Sequence, residues 1–146
     1  MALKHFIPKD RQHLIIEAIQ RAEQKTSGEI VVHVTQRCKG DAYAEAEKVF
    51  NSKKLYETIH HNAALIFIAY KDRKLAVIGD SGIYEKAPRT LWDEAIAVLC
   101  SSIKAGNPVE GIVEAVDSIG ENLAVYFPAD NTDNPNEISD EISYAD

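Results

Sequence analysis

The sequence predicts an α/β fold, a three-layer α/β/α sandwich in which helices cover both faces of a small mixed sheet. Two runs, residues 29–34 and 63–70, are apolar or β-branched at nearly every position. Such runs are typical of strands that are buried on both faces. The segments around them carry apolar residues at helical spacing, so we expect helices on both sides of the sheet.

Length and composition indicate one domain over residues 1–127, followed by an acidic disordered tail over residues 128–146. The chain has 146 residues and 45% hydrophobic content, enough for a genuine core. The last 18 residues contain six acidic side chains and no Lys or Arg, which leaves the rest of the chain with a net charge of −1. A nearly neutral body lacks the basic surface that nucleic acid binding requires. No segment has the length of a signal peptide core or membrane span, so we expect a cytoplasmic location.

The first half of the chain alternates helices with strands. Residues 10–25 place apolar side chains on one helical face, and residues 29–34 follow as the first strand. Asp41 is a suitable N-cap for a second helix, which we expect to end near residue 57. Residues 63–70 then form the second strand. A crossover of this kind predicts two parallel strands, because right-handed helical crossovers join parallel neighbours.

The second half adds a hairpin strand and two helices. A short polar turn leads to a third strand at residues 75–78, which must be antiparallel to the second because the connection is so short. A glycine-containing turn at residues 79–82 follows. Thr90 opens a capping-box pattern that predicts the start of a helix ending at Gly106. Asn107, followed by proline, predicts the start of the last helix.

Strand direction predicts which polar residues meet. The starts of the first two strands and the end of the third share one edge of the sheet, whereas Asp41 and Asp72 fall at the opposite edge. The shared edge collects Glu29, Asn62 and Asp80. Asp80 stands between two glycines, a setting that suits either an ordinary turn or a site where the backbone approaches an ion.

The composition of this edge predicts a divalent-cation site. Carboxylate, amide and hydroxyl oxygens are the ligands that Ca²⁺ or Mg²⁺ prefers, and clustered carboxylates repel one another unless a cation or proton neutralises them. We therefore predict Glu29, Asn62 and Asp80 as metal ligands. Further residues predicted to line the pocket are Ser27, Gly79, Ser81, Gly82, Tyr84, Glu85 and Asp93. No EF-hand spacing is present. His60 and His61 are interpreted as loop histidines, because adjacent residues in an extended segment point to opposite sides.

Several segments form a specific combination in this order: KTSGEIVV at 25–32, NAALIFIA at 62–69, DRK at 72–74, GDSGI at 79–83, Trp92, and EGI at 110–112. Together they resemble the TPM domain family, the thylakoid acid phosphatase-like proteins, over residues 8–127. The resemblance implies a compact α/β/α fold with an acidic metal-binding pocket, usually associated with calcium. It places the family's signature groups on Glu29, Asn62 and Asp80. Ala63 departs from the pattern, since members commonly have glycine there.

Three functions remain open, and whether the protein is an enzyme is left undecided. A regulatory or binding module for a divalent cation asks least of the residues. A metal-dependent acid phosphatase acting on phosphomonoesters, an activity that the resemblance implies for some members, would use the metal as a Lewis acid and Glu29 or Glu85 for proton transfer. An interaction domain with a protein partner and no metal is the third. The family's roles in membrane-protein turnover fit less well, because the sequence shows no anchor.

Overall fold

The computed structural model describes residues 3–129 and 139–145, and its centre is a four-stranded mixed sheet. The strands are β1 (Glu29–Thr35), β2 (Ala63–Ala69), β3 (Lys74–Gly79) and β4 (Ser143–Ala145), in the spatial order β3-β2-β1-β4. The helices are α1 (Leu3–Phe6), α2 (Gln12–Lys25), α3 (Ala42–Ser52), α4 (Ser81–Lys86), α5 (Asp93–Lys104) and α6 (Pro108–Tyr126). Short 3₁₀ turns occupy Lys9–Arg11, Leu55–Glu57 and Arg89–Trp92.

Helices cover both faces of the sheet, which confirms the predicted sandwich. Every residue of β1 and β2 is buried. On one face, β1 side chains such as Ile30 and Val32 pack in a core with α2, α5 and α6. On the other face, Val31 and Leu65 pack with Phe50 of α3. Strands that are apolar on both faces are stable only between two such layers, because each exposed face would leave apolar surface in water.

Strand directions also follow the prediction. β1 pairs with β2 in parallel, and β2 pairs with β3 in antiparallel orientation. Glu29 lies opposite Ala63, and the amide of Asp80 donates to the carbonyl of Ala63 at 2.9 Å. Glu29, Ala63 and Asp80 therefore form one row across three strands, at the edge where β1 and β2 begin and β3 ends.

Residues 139–145, which fall in the predicted acidic tail, include the short strand β4. β4 pairs in parallel with β1 from His33 to Thr35, and Ile142 is buried in the main core. Three residues have little strand stability of their own, so this strand depends on β1 and on the burial of Ile142. Residues 130–138, where the remaining part of the predicted tail falls, lie outside the described residues.

Helix starts differ from the prediction in two places. Ser81–Lys86 forms α4, where the sequence indicated only a turn, and Asp80 caps it by accepting from the amide of Ser81 at 2.8 Å. α5 begins at Asp93 after a 3₁₀ turn, without a side-chain cap from Thr90. The cap at Asp41 is confirmed, since its side chain accepts from the amide of Ala44 at 3.2 Å. Among the described residues, no helix is both long and apolar enough to cross a bilayer.

Close contact with α6 holds α2 against the sheet. A Cβ atom added at Gly120 would lie 2.6 Å from the Cβ and 3.0 Å from the Cα of Ala22. The two backbones can approach this closely only because residue 120 has no side chain. Exposed ion pairs, such as Arg21 with Asp117 at 3.2 Å, lie along the same interface and add little free energy.

We predict that Gly120→Ala destabilises the fold. The added methyl group overlaps Ala22, and overpacking of this kind costs roughly 1–3 kcal/mol, while the better helix propensity of alanine returns at most about 1 kcal/mol. Urea unfolding at neutral pH measures the difference. Glu114→Ala, at an exposed position of the same helix, is the control and should leave the midpoint nearly unchanged. A Gly120→Ala protein as stable as this control would contradict the close approach of the two helices.

Candidate functional site

The three predicted metal ligands are all buried at the same edge of the sheet. Glu29 is 2% exposed, Asn62 0% and Asp80 9%. Asn62 directly precedes β2, so it adjoins the row formed by Glu29, Ala63 and Asp80. Because neighbouring strands are about 4.8 Å apart, the Cα atoms of Glu29 and Asp80 are separated by about 10 Å. The small side chain of Ala63 lies between them.

Asn62 is held in place on one side and has an unused acceptor on the other. Its side-chain nitrogen donates to the hydroxyl of Ser27 at 3.1 Å, and its backbone amide donates to the hydroxyl of Thr58 at 3.3 Å. Its side-chain oxygen, Oδ1, is buried and accepts no hydrogen bond from the described residues. Buried polar atoms normally have partners, so this oxygen indicates an interaction that the chain itself does not supply.

Asp80 uses one carboxylate oxygen for structure and leaves the second available. Oδ1 accepts from the amide of Ser81 and caps α4. Oδ2 is buried without a hydrogen bond from the described residues, and it lies 3.4 Å from Nδ1 of His61. That contact has the distance of an ion pair but not the geometry of a hydrogen bond, and it attracts only while the exposed imidazole is protonated.

Gly82 allows the loop before β2 to approach the start of α4. A Cβ atom at Gly82 would lie 2.4 Å from the carbonyl oxygen of His60 and 2.5 Å from that of His61. His61 itself has a positive φ of 49°, which is unusual for a residue other than glycine. Gly82 is therefore required for close approach, whereas Gly106 is the glycine of this chain that adopts a positive φ.

The carboxyl of Glu29 contacts other acids on the far side of β1. Side-chain hydrogen bonds link Glu23 of α2 to both Glu29 and Asp140, and Oε2 of Glu23 accepts from the amide of Ile30 at 3.1 Å. Burial is the largest cause that raises the pKa of Glu23, from 4.5 to about 11, and the hydrogen bonds to the two acids add to it. Glu23 therefore carries a proton at neutral pH, and this proton is what allows three carboxyl groups to lie together.

Glu23 lies on one side of β1, whereas Asn62 and Asp80 lie on the other side. Because the amide of Ile30 bonds to Glu23, that amide points away from β2, and Glu23 lies on the side of β1 opposite Asn62 and Asp80. Among the described residues, no three Asp, Glu, His or Cys side chains are grouped so as to hold a metal ion. The fold thus brings Glu29 and Asp80 to one edge without joining their carboxyl groups in one set of ligands.

The other residues predicted to line the pocket have varied surroundings. Ser81, Glu85 and Asp93 are exposed. The hydroxyl of Tyr84 accepts from the amide of Gly79 at 2.9 Å and from the indole of Trp92 at 3.0 Å. The ring of Tyr84 faces a separate cleft of about 230 Å³, which it lines with residues of α3 and β3 and with Arg89. Tyr84 therefore ties the end of β3 to the 3₁₀ turn that precedes α5.

Three groups beside β1 were not found from the sequence: His33, which is buried, and Glu23 and Asp140, which are half-buried. Glu23 follows Ile19 by four residues, at the end of the inner face of α2, so its helical spacing was a usable signal. Asp140 had no such signal, because its position depends on β4. His33 lies 2.8 Å from the hydroxyl of Ser143 through Nδ1. Burial, and then the charge of Lys53, lower the pKa of His33 from 6.5 to about 4, so the ring is neutral at neutral pH.

Comparison with known proteins identifies the class of domain to which this chain belongs. The chain matches the TPM domain over residues 2–122, and it belongs to that family. No curated protein matches the sequence.

Similar solved structures include two that were determined by NMR. The BA42 protein from the psychrophilic bacterium Bizionia argentinensis has 31% identity and a TM-score of 0.90, and the match covers 99% of each chain. The N-terminal domain of the cg2496 protein from Corynebacterium glutamicum has 12% identity and a TM-score of 0.64, and the match covers 96% of this chain and 80% of that one. The second likeness concerns the fold alone.

We predict that Glu23→Gln changes how stability depends on pH. The folded pKa of Glu23 exceeds the unfolded value, so its contribution is fully present below about pH 4.5 and is lost as pH rises towards 11. Glutamine keeps the hydrogen-bonding geometry without this proton. The variant should therefore lose less stability between pH 5 and pH 9 than the unmodified protein. Urea unfolding in the presence of a chelator measures this, with Glu17→Gln on the exposed face of α2 as the control. Parallel pH profiles would contradict the assignment.

Proposed function

We propose that this TPM domain binds a divalent cation, Ca²⁺ or Mg²⁺, at the edge formed by Glu29, Asn62 and Asp80, and that it acts as a regulatory or binding module. The observation that carries the proposal is a pair of buried oxygens, Oδ1 of Asn62 and Oδ2 of Asp80, that receive no hydrogen bond from the described residues. They stand at neighbouring strand ends, one directly before β2 and the other directly after β3.

The energetics favour an added ligand at these two atoms. A buried acceptor without a donor costs about 1–3 kcal/mol, and more when the group is charged. A water molecule can satisfy the oxygen of Asn62, but it leaves the buried charge of Asp80 uncompensated. A hard cation satisfies both oxygens and the charge together. The exposed imidazole of His61 is a weak substitute, because it attracts Asp80 only when protonated.

The kind of oxygen available favours calcium over magnesium. The groups at this edge come from one strand start, one loop and one helix cap, so an ion here must accept irregular geometry. Ca²⁺ accepts six to eight oxygens in flexible arrangements, including backbone carbonyls, whereas Mg²⁺ demands a nearly ideal octahedron. The carbonyls of His60 and His61, which lie beside Gly82, are of the required type. Glu29 completes the set if its side chain turns from Glu23 towards Ala63.

The two other functions have less support. A metal-dependent phosphatase needs the same cation and, in addition, positive side chains that hold the phosphate. The side chain that forms an ion pair with Asp80 is that of His61, not of a Lys or Arg. An interaction domain without a metal leaves the two oxygens without a partner. Both alternatives are tested together with cation binding.

We predict that Ca²⁺ binds the unmodified protein and that Asp80→Asn abolishes binding. Asparagine keeps the helix cap, since it is an equally good N-cap residue, but it removes the carboxylate. Calcium titration followed by amide NMR should shift Ser27–Glu29, Asn62 and Gly79–Glu85, and saturating calcium should raise the melting temperature. Asp93→Asn, at an exposed position of α5, removes the same charge and should bind as the unmodified protein does.

A parallel assay with p-nitrophenyl phosphate, with and without calcium or magnesium, separates the alternatives. Ion-dependent shifts without turnover support the binding module. Turnover that Asp80→Asn abolishes supports the phosphatase instead. Absence of shifts, of thermal stabilisation and of turnover would reject a cation site at this edge and leave the interaction domain.

A further inference from the structure

The side chain of Glu29 stands between the proposed cation pocket and the docked C-terminal strand. On one side of β1 lie Asn62 and Asp80. On the other side Glu23 is hydrogen-bonded to Glu29 and to Asp140, which lies three residues before β4. The carboxyl group of Glu29 thus lies between the proposed cation pocket and the residues that precede β4.

Three independent contacts hold the C-terminal segment on β1. β4 pairs with residues His33 to Thr35, Ile142 is buried in the main core, and the hydroxyl of Ser143 lies 2.8 Å from Nδ1 of His33. These contacts place Asp140, three residues before β4, where it is hydrogen-bonded to Glu23 of α2. The strand is only three residues long, so losing one contact should release it appreciably.

We propose that docking of β4 and cation binding at the Glu29, Asn62 and Asp80 edge oppose each other through Glu29. The proposal rests on the cation site proposed above. With β4 docked, Asp140 holds Glu23 in place, and Glu23 holds Glu29 away from Asn62. A cation that draws Glu29 towards Asn62 breaks the bond between Glu23 and Glu29. Glu23 is then held less firmly, which weakens its hydrogen bond to Asp140.

An opposite effect of Asp140 has to be weighed. Its negative charge attracts a cation through space and would by itself strengthen binding. The cation pocket lies across β1 from Asp140, however, and salt screens an attraction over roughly 10 Å. The hydrogen bonds that join Glu23 to Glu29 and to Asp140 are direct contacts, which makes them the stronger influence. Tail docking should therefore weaken cation binding, and cation binding should weaken tail docking by the same factor.

The test compares calcium affinity in full-length variants of the tail. Asp140→Ala removes the bond to Glu23, and Ser143→Ala weakens docking at β4 without changing charge. Both should bind calcium more tightly than the unmodified protein, by about fivefold for Asp140→Ala and less for Ser143→Ala. Glu141→Ala removes a charge from the same exposed segment and should leave the affinity unchanged.

A second measurement tests the reciprocal effect in the unmodified protein. Saturating calcium should speed hydrogen exchange of the β4 amides, because the docked strand is less populated. The Asp80→Asn protein, which lacks the ligand, should show no such change. This readout does not depend on any substitution in the tail.

The outcomes separate the two proposals. If the unmodified protein and all tail variants fail to bind calcium, the cation site and the coupling both fall. If all bind equally, or if Asp140→Ala binds more weakly, only the coupling is overturned. Tighter binding in Asp140→Ala with no change in Ser143→Ala also overturns it, because the effect would then not depend on the docking of β4. Slower or unchanged exchange of β4 on calcium addition has the same consequence.

Discussion

The pairing of β1 with β2 and of β2 with β3 is the constraint on which the other features depend. Both central strands are buried on both faces, and their polar side chains other than His33 lie at the strand ends. The parallel pair and the antiparallel return then bring two strand starts and one strand end to the same edge. Residues as far apart in the chain as Glu29 and Asp80 become neighbours at that edge, between two layers of helices.

Burial makes each polar contact at this edge significant. Within a low-dielectric environment a carboxyl group needs a proton, a donor or a cation. Glu23 retains a proton, and Asp80 uses the amide of Ser81 for one of its oxygens. The remaining oxygens of Asn62 and Asp80 are what a cation would satisfy. Glu29 is hydrogen-bonded to Glu23, and the proposed cation site would draw it towards Asn62 and Asp80 instead.

Much of this arrangement was predictable, and the errors have identifiable causes. Long periodic or doubly apolar segments dominate local preferences, so α2, β1, β2 and the hairpin strand were predicted correctly, as were the strand directions that bring Glu29 and Asp80 to the same edge of the sheet. Short elements depend on their neighbours instead. α4 forms because Gly82 packs against the loop before β2, and Thr90 does not cap α5 because a 3₁₀ turn precedes that helix.

The sequence by itself determined the layers, the strand directions and the family, because all three follow from the periodicity and order of long segments. It also determined that Glu29 and Asp80 lie at one edge of the sheet, since strand direction alone decides that. Only the tertiary structure decided that Asp140 joins Glu23 and Glu29 and that Ser143 meets His33. Those contacts join residues more than 100 positions apart through a three-residue strand, whose stability comes from packing and not from local preference.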